Sequence, residues 1–206
     1  MRHRAIDATV SCVSRTDPVA VVTGGSCGAG RDIARKLASR GYAVVVVYLR
    51  DQGKAEATVE EILAANGTAL AVRADVTDEL DVERLFIETT AAFGGVDVVV
   101  HTALRGTSIV NEQATRRLRH GGAIVNVSSS DAITPVLADG LRARDITING
   151  LAPGLEPPGA HHDIGDLVTL VDRWRRSPGG VTRACPGANH RALRDRAVDS
   201  NPWRSP

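Results

Sequence analysis

Residues 18–31 read Pro-Val-Ala-Val-Val-Thr-Gly-Gly-Ser-Cys-Gly-Ala-Gly-Arg, and no other stretch constrains the fold as strongly. A short apolar segment, Val19 to Val22, runs into a glycine-rich turn. A helical pattern follows at once, with Ile33, Ala34, Leu37 and Ala38 on one face. Strand, glycine turn and helix in that order suit a bound pyrophosphate. Glycines let the backbone come close to the phosphates, and the helix N-terminus offers free N–H groups and a positive dipole end. An isolated glycine run is also compatible with a plain surface turn, so the context decides.

That context is a repeated alternation of strand and helix. Tyr42 to Tyr48 is a continuous apolar run, as for a strand buried on both faces. The pattern predicts a helix over 54–65 ended by Asn66-Gly67, then a strand over 68–76. A helix over 78–93 follows, capped by Thr77 and packed through Leu80, Leu85 and Phe86. Gly94-Gly95 ends it, and Val96 to His101 forms a fourth strand. A helix over 104–119 and a strand over 123–127 come next, then Ser128-Ser129-Ser130. A short, poor helix between Val136 and Arg144 precedes a strand over 146–151, Ala152-Pro153-Gly154, and a last helix from His162 to Trp174. Repeated β-then-α units predict a single α/β domain with a doubly wound parallel sheet, Rossmann-like, over 19–176. Residues 1–18 read as a flexible lead-in without an apolar signal core. Residues 177–206, rich in Pro, Gly, Arg and Asp, read as a loosely held polar tail or a contact for an acidic partner.

Net charge is +1 over 206 residues, which argues against nucleic acid or a membrane surface as partner. No apolar run is long enough to span a bilayer. Cys12, Cys27 and Cys185 are odd in number and scattered, which speaks against a disulfide scaffold or zinc site and for a reducing cytoplasm. His161-His162-Asp163 lacks a third ligand at convincing spacing, so no metal is expected.

Four motifs in order resemble the short-chain dehydrogenase/reductase family, nearest its NADPH-dependent 3-oxoacyl-carrier-protein reductase type. Thr23-Gly24-x-x-x-Gly28-x-Gly30, with Ser26 and Cys27 inside it, resembles that family's cofactor turn. Asp75-Val76 resembles its adenine-contacting pair. Asn126-Val-Ser-Ser129 resembles its fifth-strand motif, where the second serine is catalytic. Pro153-Gly154 stands where the family's Pro-Gly meets the nicotinamide end. The resemblance implies NAD(P)(H)-dependent chemistry on a small carbonyl, hydroxyl or acyl thioester substrate.

The departures matter as much. The family's Tyr-x-x-x-Lys pair follows its serine. There the tyrosine moves the proton while the lysine lowers its pKa and holds the ribose. This chain has tyrosine only at 42 and 48, and lysine only at 36 and 54. The family's Asn-Asn-Ala-Gly reads His101-Thr102-Ala103 here, and its helix asparagine falls at Ala103. Of the catalytic set, Ser129 alone is left. Two shortenings account for this, one after the fourth strand and one after the fifth. The remaining crossovers, 102–121 and 130–145, are each long enough for one helix. Pro135, Asp139 and Gly140 make the second a weak one, which predicts a thinly covered sheet face, an exposed apolar patch or an altered homo- or hetero-oligomer interface.

Val47 occupies the place where NAD-preferring relatives carry an acid, and Arg50 and Lys54 follow it. NADP is therefore favoured over NAD, with Arg50 as either a 2′-phosphate partner or a solvated charge. Ser129 is a candidate for polarising a substrate carbonyl or an ordinary strand-end serine. His101 is a candidate substitute acid or a structural residue. Catalysis by this chain is thus one reading; a dinucleotide- or partner-binding module and a non-functional remnant are the others.

Overall fold

The structure is a computed structural model. It describes residues 17–103, 105–127, 141, 144–151, 169, 171 and 181–183. Seven strands form one sheet in the order β3-β2-β1-β4-β5-β6-β7. They are β1 (Val19–Thr23), β2 (Ala43–Tyr48), β3 (Thr68–Arg73), β4 (Val96–His101), β5 (Leu118–Val127), β6 (Thr147–Leu151) and β7 (Val181–Arg183). Every neighbouring pair is parallel. The strand order turns around between β1 and β4, which opens a crevice at their C-terminal ends.

Helices α1 (Gly28–Ser39) and α2 (Gln52–Ala64) cover one face. Ile33, Ala34, Leu37 and Ala38 of α1 pack there against Val22, Val44, Val46 and Val100. Helices α3 (Glu79–Phe93) and α4 (Thr107–Arg117) cover the other, where Leu85, Phe86, Val110 and Ala114 meet Val21, Val45, Val99 and Ile124. The valine-rich strands are buried on both sides because helices lie over both.

Local chemistry sets the ends of the helices. Asp51 caps α2 by accepting from the Lys54 N–H at 3.1 Å. Asp78, not Thr77, caps α3: its carboxylate accepts from the N–H groups of Leu80 and Asp81 at 2.9 and 3.0 Å. Thr77 is instead tied to the Asp75 carboxylate. Leu80, expected in the core, is 75% exposed, because it falls on the opposite side of α3 from the buried face of Val82, Leu85, Phe86, Thr89 and Phe93. Gly94 ends α3 in the left-handed conformation, φ 79°, as Gly94-Gly95 implied.

The helix expected over 104–119 is shorter, because Leu118 leaves it in an extended conformation and pairs with Val96 of β4. Arg144 donates to the carbonyls of Thr115 (2.7 Å) and Leu118, satisfying orphan groups at the end of α4. Strand β7 lies within the segment read as a tail and pairs with β6. Leu141, Thr169 and Val171 are helical, and the remainder of the helices expected over 136–144 and 162–174 lies outside the described residues. No described helix is long and apolar enough to cross a membrane.

Candidate functional site

The turn between β1 and α1 sits at the crevice. Gly24 and Gly28 have φ of +66° and +52°, which L side chains rarely adopt. Gly30 is needed for a different reason: a Cβ there would lie 2.2 Å from the Gly24 carbonyl oxygen. Helix α1 can therefore close onto the turn only with glycine at position 30. A Cβ at Gly28 would meet nothing within 4 Å, so that side of the turn is open. Cys27 is the N-cap residue, makes no side-chain cap, and the first turn of α1 holds no acid. The first N–H groups of α1 thus face outward with the positive dipole end unneutralised. Such a cradle fits a pyrophosphate.

The turn is anchored to β4 from beneath. Thr23 Oγ1 lies 2.9 Å from His101 Nδ1, and both side chains are fully buried. Thr102 donates its N–H to Thr23 Oγ1 at 3.1 Å and its hydroxyl to the Thr23 carbonyl at 2.6 Å. Thr102 Oγ1 would also stand 2.6 Å from a Cβ at Gly24. Burial lowers the His101 pKa to about 4, partly opposed by a contact with the Arg105 backbone, so the imidazole is neutral at pH 7.

Other candidates fall around this turn. Ser26 is half-buried and Cys27 exposed. Arg50, exposed just past β2, sends its charge toward Asp75. Asp75 follows β3, and its carboxylate accepts from the Thr77 hydroxyl at 2.7 Å and N–H at 2.9 Å. Those bonds hold it below the usual carboxylate range. The Val76 carbonyl is covered closely by Gly106, whose Cβ would approach it to 2.0 Å. Asp51 is occupied by the α2 cap and by an ion pair with Lys54 at 2.9 Å. Ser129, Pro153, Gly154, His161 and His162 lie outside the described residues. Among the described residues no group of three metal-ligating side chains exists. A cleft of about 760 Å³ between the C-terminal ends of α1 and α2 opens at the other end of the sheet, so it is not part of this site.

The pattern reading assigns no role to Thr102 or Gly106. Each acts through a contact distant in sequence, and no local spacing signals it.

A doubly wound parallel sheet with a glycine turn at its switch point defines an α/β domain of the dinucleotide-binding type. Residues 18–116 match the family described as short chain dehydrogenase. An uncharacterized oxidoreductase of Methylorubrum extorquens is 32% identical over 189 residues, covering 71% of this chain and 76% of the relative. The 3-oxoacyl-[acyl-carrier-protein] reductase FabG of Staphylococcus aureus is 32% identical over 179 residues, covering 66% and 73%. A short chain dehydrogenase from Burkholderia cenocepacia, solved in complex with NADP, superposes with a TM-score of 0.66 at 26% identity, covering 82% of this chain and 97% of that one. This chain belongs to the short-chain dehydrogenase/reductase family of oxidoreductases. The first alignment spans 189 positions but uses only 71% of 206 residues, so about 43 positions have no residue of this chain.

Proposed function

We propose that this chain is a cytoplasmic, NADP(H)-binding family member from which the proton-transfer machinery has been cut. The cradle at Thr23 to Gly30 carries the proposal: two left-handed glycines, a third that lets α1 close onto the turn, and an open helix N-terminus. Arg50 supports NADP over NAD. It is exposed beside the expected ribose position, whereas Asp51, the nearest acid, is held by Lys54 and the α2 cap. Asp75 and Val76 are assigned to the adenine side, Pro153 and Gly154 to the nicotinamide side.

A bound nicotinamide dinucleotide supplies a hydride; the protein must supply the proton and hold the carbonyl. Tyrosine is present only at 42 and 48, and Tyr42 is buried against α1. The roughly 43 unmatched positions agree with the two shortenings read from the motifs. His101 is a poor replacement, since it is buried, neutral and bound to Thr23.

The likeness to the Staphylococcus reductase favours a second reading. In it, Ser129 polarises a 3-oxoacyl thioester carbonyl and a non-standard donor completes reduction.

A fluorescence titration with NADPH and NADH, followed by turnover on a 3-oxoacyl thioester, separates the readings. Tighter NADPH binding with no turnover is the expected result. Turnover abolished by Ser129→Ala would establish the reductase. Failure to bind either dinucleotide would overturn both and leave a partner-binding module or a remnant.

A further inference from the structure

On the α3/α4 face of the sheet, the strand residues nearest the crevice are polar. Thr23, His101 and Asn126 are register partners across β1, β4 and β5, so their side chains share that face. His101 is 0% and Asn126 is 3% exposed. Asn111 of α4 is 0% exposed as well and follows Val110, which packs into the same cluster as Val99 and Ile124. Five residues separate the end of β4 from the start of α4, which runs back along the strand. Asn111 therefore sits about 6 Å below the helix start, near the level of the strand ends.

Three polar atoms on this face have no hydrogen-bond partner: Asn126 Oδ1 and both Nδ2 and Oδ1 of Asn111. Native interiors rarely leave such atoms unpaired. His101, the register partner of Asn126, is not one of them, being bonded to Thr23 and to the Arg105 backbone. The set offers a donor and acceptors but no charge. That chemistry matches a small neutral hydrogen-bonding molecule. We propose that Asn111 and Asn126 hold ordered water in an internal polar site beneath the N-terminal half of α4. A buried water makes about three hydrogen bonds, so one or two waters complete the three atoms.

A crystal structure of the unmodified chain should show water density within about 3.2 Å of Asn111 Oδ1 and of Asn126 Oδ1. A space packed dry by side chains overturns the proposal. Asn111→Leu, close in volume, tests the energetics. Around bound water it removes made hydrogen bonds, and Tm should fall by at least about 2 °C. In a dry site it removes unmade ones, and a Tm that holds or rises counts against the site. Should the variant fail to fold, the crystal density decides. None of these readouts requires NADPH to bind, so the site and the cofactor reading can fail separately.

Discussion

His101 occupies a place where an ionisable side chain has consequences. Buried against Thr23, its folded pKa is about 4, against an ordinary 6.5. Between those values the unfolded chain takes up a proton that the native chain refuses. Stability is therefore fully present above pH 6.5 and is lost as pH falls toward 4, by roughly 3 kcal/mol in total, of which about 2 are gone by pH 5. Asp51, Asp75 and Asp81 are all held below the usual carboxylate range, by Lys54, the Thr77 hydroxyl and the Asp75 N–H respectively, so their contributions fade only at lower pH. Urea unfolding at pH 7 and pH 5 should show this loss in the parent chain and much less of it in His101→Asn. Equal pH sensitivity in both chains would remove His101 as its source. The glycines of the turn give a second contrast. Gly30→Ala places a Cβ 2.2 Å from a backbone oxygen, so α1 must move and dinucleotide binding should be lost. Gly28→Ala meets open space and carries only the left-handed penalty, about 1–2 kcal/mol. Binding titrations of the two variants should separate; similar affinities would show that closure of α1 onto the turn is not what the site requires.

Helices and strands were legible where their signals are local. Strand β4 and the glycine stop of α3 follow directly from Val96 to His101 and Gly94-Gly95. The misreadings lie where a distant partner decides. Leu118 has a helical neighbourhood in sequence, but pairing with Val96 and capping by Arg144 draw it into β5. Thr77 and Asp78 are both good cap residues, and the bond from Thr77 to Asp75 leaves the role to Asp78. Replacing Asp78 by Ala should therefore cost about 1 kcal/mol in chemical denaturation, as for a lost cap. Leu80 and Leu85 are both leucines of α3, but five positions set them about 140° apart around the helix, and they differ in burial, 75% exposed against 1%. Leu80→Ala should change stability by under about 0.5 kcal/mol, whereas Leu85→Ala should cost 2–5 kcal/mol. A large loss at position 80 would show that the start of α3 is covered in solution. The candidate site divides in the same way. Its glycine spacing is written into eight consecutive residues, but the Thr23–His101 bond joins positions 78 apart, and nothing near either residue announces it.

At the level of the whole molecule, the proposed reading separates fold from chemistry. Parallel neighbours need only a crossover long enough to return across the sheet, so helices can be trimmed while the strand order survives. The strand order here is unbroken from β3 to β7. The turn at the switch point depends on β1, α1, the end of β4 and Thr102 just after it, and all of these are present. A reaction centre built on the crossovers after β4 and β5 has no such protection, because the strands close with or without it. This predicts that what the chain lacks is transferable. A chimera taking the two crossovers after β4 and β5 from the Staphylococcus reductase, and keeping residues 18–102 of this chain, should bind NADPH as the parent does and gain turnover on a 3-oxoacyl thioester. The gain should disappear when the tyrosine brought in with the graft is changed to Phe. A chimera that folds and binds NADPH yet reduces nothing would mean that His101-Thr102, or another change outside the crossovers, also blocks the chemistry. Reverting those two residues to Asn-Asn in the chimera would then identify them.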